Sequence, residues 1–191
     1  MAEVMPEGYG PPTPVPIFQW EPEFSALLEI YKERQPKRVL EVGTYHGGTL
    51  YHWLKNAQPG SLVVSVDAYC SGIDNRHLYQ SWCPPGVEVF SIQGNSMEQV
   101  TVDAAAYFAP YDWVWIDAGH EYHEVKSDWE KYGALCKPGG IVCFHDILPP
   151  SATWPKIEVS FLWKELKQKY WTKELIHDPK AAWGGIGVVN V

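Results

Sequence analysis

Two rhythms of apolar spacing take turns along this chain. Phe24, Leu27, Leu28 and Tyr31 recur at i, i+3, i+4 and i+7, which predicts a helix from about Pro22 to Arg34. Proline is acceptable in its first turn, and Gln35-Pro36 ends it. The run Val39-Leu40-Glu41-Val42 then reads as a buried strand entering a glycine-containing turn, followed by a helix with Leu50, Trp53 and Leu54 on one face. Further strands are predicted at Leu62–Val66, Val87–Ile92, Trp113–Ile116 and Ile141–Phe144. Between them a short helix is placed within 68–86, one starts at Met97, and one runs from Tyr122 to Leu135, broken by Lys137-Pro138-Gly139-Gly140. Val159, Leu162, Trp163 and Leu166 stripe a last helix ending near Tyr170-Trp171. The final strands, Lys173–Ile176 and Gly185–Val191, are close enough in sequence to pair antiparallel. Strand and helix alternate, so the chain is expected to be α/β with helices on both faces of a mostly parallel sheet.

Composition narrows the class. At 191 residues the chain suits one domain, assigned to 20–191, preceded by a Pro-rich arm at 1–19. A Pro-rich arm resists helix and sheet and runs extended over the surface or over a partner subunit. A net charge of -8 without a Lys/Arg cluster argues against nucleic acid as a partner. No apolar run reaches the ~20 residues of a membrane span, and no signal segment opens the chain. Cys70, Cys83, Cys136 and Cys143 show no C-x-x-C spacing, which suits free thiols and a cytoplasmic location. Most of the 10 Trp are expected in the core and some in a pocket or subunit interface, and with the arm they point to a homo-oligomer.

Candidate chemistry gathers at strand ends. The turn Gly43-Thr44-Tyr45-His46-Gly47-Gly48 falls where a dinucleotide fold carries G-x-G-x-x-G, but Tyr45 stands at the middle glycine and would fill the space of the pyrophosphate. That disfavours an NAD-dependent oxidoreductase and favours a nucleoside without phosphates. Glu41, two residues earlier, suits an amine-bearing ligand, so an adenosine carrying an amino acid meets both constraints. Asp67 ends the second strand about 20 residues after the turn, where carboxylate oxygens accept ribose hydroxyls. Asn95 and Ser96, after the third strand, can hydrogen-bond an adenine or cap the next helix. Asp117 and His120 leave the fourth strand, and His145 and Asp146 the fifth, so these four titratable groups should converge in one crevice.

In these segments the chain resembles class I S-adenosylmethionine (SAM)-dependent methyltransferases, in the branch of small-molecule and sugar O-methyltransferases and cephalosporin-hydroxylase-like proteins. The resemblance rests on Val39–Gly48, Asp117–Tyr122, Lys137–Gly140 and Phe144–Asp146 in that order, and spans about residues 20–191. It implies a Rossmann-like, doubly wound seven-stranded sheet closed by an antiparallel C-terminal hairpin strand. It also implies SAM at Glu41, Gly43, Thr44, Tyr45, Gly48, Asp67, Asn95, Ser96 and Asp117. Many relatives bind Mg²⁺ at positions matched here by Asp117, His145 and Asp146. His145 replaces an oxygen ligand, which leaves Mn²⁺, Zn²⁺ or no ion as alternatives to Mg²⁺. Relatives place a base where His120 stands, and a neutral imidazole suits removal of a hydroxyl proton. The expected reaction is methyl transfer to a hydroxyl of a small molecule or sugar. Transfer to nitrogen or carbon and a non-catalytic adenosyl-binding scaffold are the other readings. The acceptor pocket is expected from the N-terminal segment, residues 68–86 and the loop Leu148–Trp154, or from a second subunit.

Overall fold

The computed structural model describes residues 10–69 and 74–191. Cys70, Ser71 and Gly72, and the first nine residues of the Pro-rich arm, lie outside the described residues. A seven-stranded sheet has the order β3-β2-β1-β4-β5-β7-β6. Its strands are β1 (Arg38–Val42), β2 (Leu62–Asp67), β3 (Glu88–Gln93), β4 (Tyr111–Ile116), β5 (Cys136–Phe144), β6 (Trp171–Leu175) and β7 (Ile186–Asn190). The pairs among β1 to β5 are parallel, and β7 lies antiparallel to both β5 and β6. No described helix is long and apolar enough to cross a membrane.

Alternation along the strands decides which helices cover which face. Val39, Val63, Trp113, Trp115 and Cys143 join one core with α1 (Glu21–Arg34), α2 (Gly48–Asn56) and α3 (Arg76–Trp82). Leu40, Val64, Val114, Ile116 and Phe144 join the other with α4 (Gln99–Ala106), α5 (Tyr122–Tyr132) and α6 (Val159–Leu166). Side chains of period two therefore bury both faces, as a parallel sheet requires. Trp53, Trp113 and Trp115 are fully buried at the centre of the first core; truncating any one to alanine would cost roughly 3–5 kcal/mol.

Several expected boundaries differ. The helix expected to end near Tyr170-Trp171 ends as α6 at Leu166, and β6 already begins at Trp171. The helix expected to run to Leu135 ends as α5 at Tyr132 and finishes in a 3-10 turn, Gly133–Leu135. The segment Lys137-Pro138-Gly139-Gly140 does not separate helix from strand, because β5 already begins at Cys136. It forms an irregularity inside the strand: Tyr111 pairs with Cys136, and Trp113 already pairs with Ile141. Proline and glycine signal a strand bulge as well as a helix end, and the physical reason here is a local stretch of extra residues against β4.

The N-terminal segment is fixed by the chain's own elements. Its described part, Gly10–Gln19, lies against the turn after β1, with Ile17 buried in the first core. Glu23, buried at the start of α1, accepts the His177 and Gly185 backbone N–H groups at 2.9 Å each. This ties α1 to the β6–β7 connection, above the carboxyl ends of β4 and β5.

Candidate active site

Two glycines let the turn after β1 sit where it does. Gly43 has φ +88°, and a Cβ there would lie 2.1 Å from the Asp117 carbonyl oxygen. The turn therefore packs directly on the backbone that leaves β4. A Cβ on Gly48 would lie 2.4 Å from the Pro16 carbonyl oxygen and 2.7 Å from Ile17 Cβ. Gly48 thus makes room for the N-terminal segment across the first turn of α2. Tyr45 adopts φ +50° and stays exposed, with its ring edge-on to Phe18 at 5.4 Å.

Asp67 organises this turn. Its Oδ2 accepts the Thr44 and Tyr45 backbone N–H groups at 2.7 and 2.6 Å, and its Oδ1 accepts that of Tyr69. A carboxylate offers about four lone-pair positions, so an acceptor position remains on Oδ1 for a ligand hydroxyl. Glu41 stands one layer below. It is fully buried, accepts the Thr49 hydroxyl, and has the Thr44 hydroxyl 3.4 Å away. Burial, aided by the Asp117 and Asp67 charges, pushes its carboxyl up to about 8 against the bond from Thr49. Glu41 does not reach the cavity wall, whereas Thr44 and Thr49 do.

Asp117, His120, His145 and Asp146 converge as the strand ends dictate. His120 Nε2 lies 3.4 Å from Asp117 Oδ1 and 3.3 Å from Asp146 Oδ2. His145 Nδ1 approaches the same two oxygens from the buried side, at 3.4 and 3.5 Å. Ligating atoms of Asp117, His120 and Asp146 all lie within 4.8 Å of one another, a group able to hold a metal ion. The opposite oxygens are held by the protein: Gln19 Nε2 donates to Asp117 Oδ2 at 2.7 Å, and the Gly184 N–H to Asp146 Oδ1 at 2.9 Å. Burial opposes charge on Asp117, but the His145 and His120 imidazoles outweigh it and hold its carboxyl below the usual range. Burial likewise opposes charge on the two histidines, yet the paired carboxylates win. His120 is raised, and His145 is raised to about 9.

A cavity of about 520 Å³ joins these parts across the carboxyl ends of β1, β2, β4 and β5. Gly43, Thr44, Tyr45, Gly48, Asp67, Asn95, Ser96, Asp117, His120, His145 and Asp146 all line it, and of the expected site residues only Glu41 does not. Asn95 uses Oδ1 to accept the Met97 N–H, and the Ser96 carbonyl accepts the Tyr132 hydroxyl, so this edge is held in place. The N-terminal segment joins the wall as expected, through Pro16, Ile17, Phe18 and Gln19. Leu148–Trp154 contributes nothing to the wall, and of the described residues in 68–86 only Ala68 does. Trp183, from the β6–β7 connection, takes that place; it stacks on Trp20 at 5.3 Å and meets His145 at 5.8 Å. Neither Gln19 nor Trp183 sits in a motif, so nothing local in the sequence marks them.

A nucleoside-sized cleft with a proton-handling cluster at one end suits group transfer to a bound small molecule. A family model described as a methyltransferase domain matches residues 40–147, more than half of the 191 residues. The chain belongs to that methyltransferase family. The matched region of this methyltransferase runs from β1 to just past β5 and holds every expected site residue. Among solved structures, the methyltransferase is similar to the O-methyltransferase from Bacillus cereus in complex with SAH, with a TM-score of 0.66 and 17% identity over 88% of this chain and 80% of that one. The O-methyltransferase TomG from Streptomyces achromogenes, involved in tomaymycin synthesis and in complex with SAM, gives 0.66 and 17% over 89% and 79%. The MycE methyltransferase of the mycinamycin biosynthetic pathway, in complex with Mg, SAH and mycinamycin VI, gives 0.61 and 20% over 88% of this chain and 48% of that one. At these identities the likeness is one of fold.

Proposed function

We propose that this methyltransferase uses SAM to methylate a hydroxyl group of a small molecule or sugar. The observation that carries the reading is the single cavity that joins the Gly43–Gly48 turn and Asp67 to the Asp117–His120 pair. The solved relatives in complex with SAM or SAH support the choice of donor. Asp67 Oδ1 has room for one ribose hydroxyl, and Asn95 and Ser96 stand beside the adenine. The Gly43–Gly48 turn and Thr49 face the amino-acid portion, with Glu41 acting through the hydroxyls of Thr44 and Thr49. Tyr45 occupies the wall where a dinucleotide would need a glycine, so the residues present fit a nucleoside without phosphates.

Bound there, SAM supplies a methyl group activated by its sulfonium. The chain's own residues align the acceptor and handle its proton. His120, half-exposed to the cavity, takes the proton from the hydroxyl at Nε2 as the oxygen attacks. Asp117 and Asp146, each within 3.4 Å of that nitrogen, stabilise the imidazolium that results. Phe18, Tyr45 and Trp183 provide apolar surface for the acceptor body and keep water away from the transfer. The cluster also offers oxygen and nitrogen ligands that fit a divalent metal ion at Asp117, His145 and Asp146, which would polarise the hydroxyl.

The test is incubation with methyl-labelled SAM and a panel of hydroxylated small molecules and sugars. The reading predicts label on oxygen, and a loss of about 100-fold or more in His120→Gln with SAH binding retained. Label appearing on nitrogen or carbon, or an unchanged rate in His120→Gln, would contradict it.

A further inference from the structure

We infer that Asp128 of α5 is a positioning residue for the adenine of the donor: it takes the Ser96 hydroxyl proton into a hydrogen bond and leaves Ser96 Oγ able only to accept. Ser96 then selects a base whose edge donates, as the adenine 6-amino group does, over one with a 6-oxo group. The inference rests on the methyltransferase reading above and goes beyond it by giving a role to a residue outside the cavity wall.

Glu124, Asp128 and Tyr132 stand at i, i+4 and i+8 and so share one face of α5. Both ends of that face are fixed beside the donor site. Glu124 lines the cavity, and the Tyr132 hydroxyl donates to the Ser96 carbonyl at 2.9 Å. Lys131 Nζ, next to Tyr132, donates to the Met97 carbonyl at 2.6 Å. Asp128 lies between the two ends, against the loop from which Ser96 lines the cavity.

Asp128 is fully buried, where a carboxylate is costly unless a donor meets it. Burial lifts its carboxyl to about 6, and the Ser96 hydroxyl opposes the rise, followed by the Lys131 charge. Neither oxygen is taken up by another hydrogen bond among the described residues, so both remain open to the Ser96 proton. The Lys131 ammonium is engaged by the Met97 carbonyl, which leaves the Ser96 hydroxyl as the donor at hand. At neutral pH the carboxyl is mainly ionised and can only accept.

A hydroxyl has one proton and two lone pairs. An ionised carboxylate makes the stronger bond and claims the proton, so Ser96 Oγ meets the ligand with lone pairs alone. The adenine 6-amino group has protons to place there. A 6-oxo group would set lone pairs against lone pairs and leave both sides unsatisfied, which a polar site rejects more strongly than an apolar pocket would.

The test is calorimetric titration of the full chain with S-adenosylhomocysteine (SAH) and with S-inosylhomocysteine, which carries a 6-oxo group in place of the 6-amino group. The wild type is expected to favour SAH by about tenfold or more. Asp128→Asn can donate through its own amide to Ser96 Oγ, which frees the hydroxyl to turn toward a 6-oxo group. The preference should then fall by about tenfold, with the inosine form binding more tightly than it does to the wild type. Ser96→Ala should lower the preference as well. A folded Asp128→Asn that keeps the wild-type preference, or weakens both ligands alike as a purely structural role would, overturns the inference. An unchanged preference in Ser96→Ala overturns it too, so a failure of Asp128→Asn to fold does not shield it. SAH binding without any preference in the wild type overturns this inference alone, whereas binding of neither ligand by folded wild type overturns the methyltransferase reading on which it rests.

Discussion

Gln19 Nε2 donates a hydrogen bond of 2.7 Å to Asp117 Oδ2, joining residues 98 positions apart in sequence. It makes the N-terminal segment part of the active site. Gln19 is 5% exposed, so removing its amide leaves the carboxylate oxygen without that donor in a place that water scarcely reaches. Gln19→Leu is expected to lower stability to urea by about 1–3 kcal/mol. A variant as stable as the wild type would show that the segment does not hold Asp117 in solution.

The seat of the same segment is Gly48. A Cβ there would meet the Pro16 carbonyl oxygen at 2.4 Å and Ile17 Cβ at 2.7 Å. Gly48→Ala is therefore expected to lift residues 10–19 while α2 itself persists, since alanine suits a helix better than glycine. Limited proteolysis should cut the variant within this segment many times faster than the wild type, and overpacking should cost about 1–3 kcal/mol. Equal rates of cleavage would contradict the packing.

Glu41 sets a pH dependence of stability. Folding lifts its carboxyl from 4.5 to about 8, so between those values the folded chain holds a proton that the unfolded chain releases. Stability from this group is at its highest below about 4.5, falls as pH rises, and levels off above about 8. Glu41→Gln keeps an acceptor for the Thr49 hydroxyl and removes the ionisation. At pH 9 it should be more stable than the wild type by about 2 kcal/mol or more, with the advantage vanishing near pH 4.5. Parallel stability curves for the two proteins would sink this account.

Much of the fold was legible because apolar runs set the strand ends. Asp67, Asp117, His145 and Asp146 follow such runs, and parallel strands deliver their carboxyl ends to one edge. The β1 turn was legible through its glycines, although Gly43 and Gly48 act through close contact with protein backbone more than through space for a ligand. Glu41 sits near the turn in sequence, which marks it as a candidate ligand contact. Strand alternation buries its side chain next to the hydroxyls of Thr44 and Thr49, so it meets the cavity through them. Lys137–Gly140 was ambiguous, since the same residues end a helix or distort a strand. Gln19 and Trp183 were invisible locally, because their place depends on Glu23 tying α1 to the β6–β7 connection.

Binding of SAM in the cavity is tested by calorimetric titration with its product, S-adenosylhomocysteine. Micromolar, saturable binding at one site per chain is predicted. Asp67→Asn should weaken it by about tenfold or more, because the variant loses the charge that holds the Thr44 and Tyr45 amides and turns one of the two acceptor oxygens into an amide donor. No heat of binding from a protein shown to be folded would contradict the account and leave a scaffold that keeps the fold without the donor.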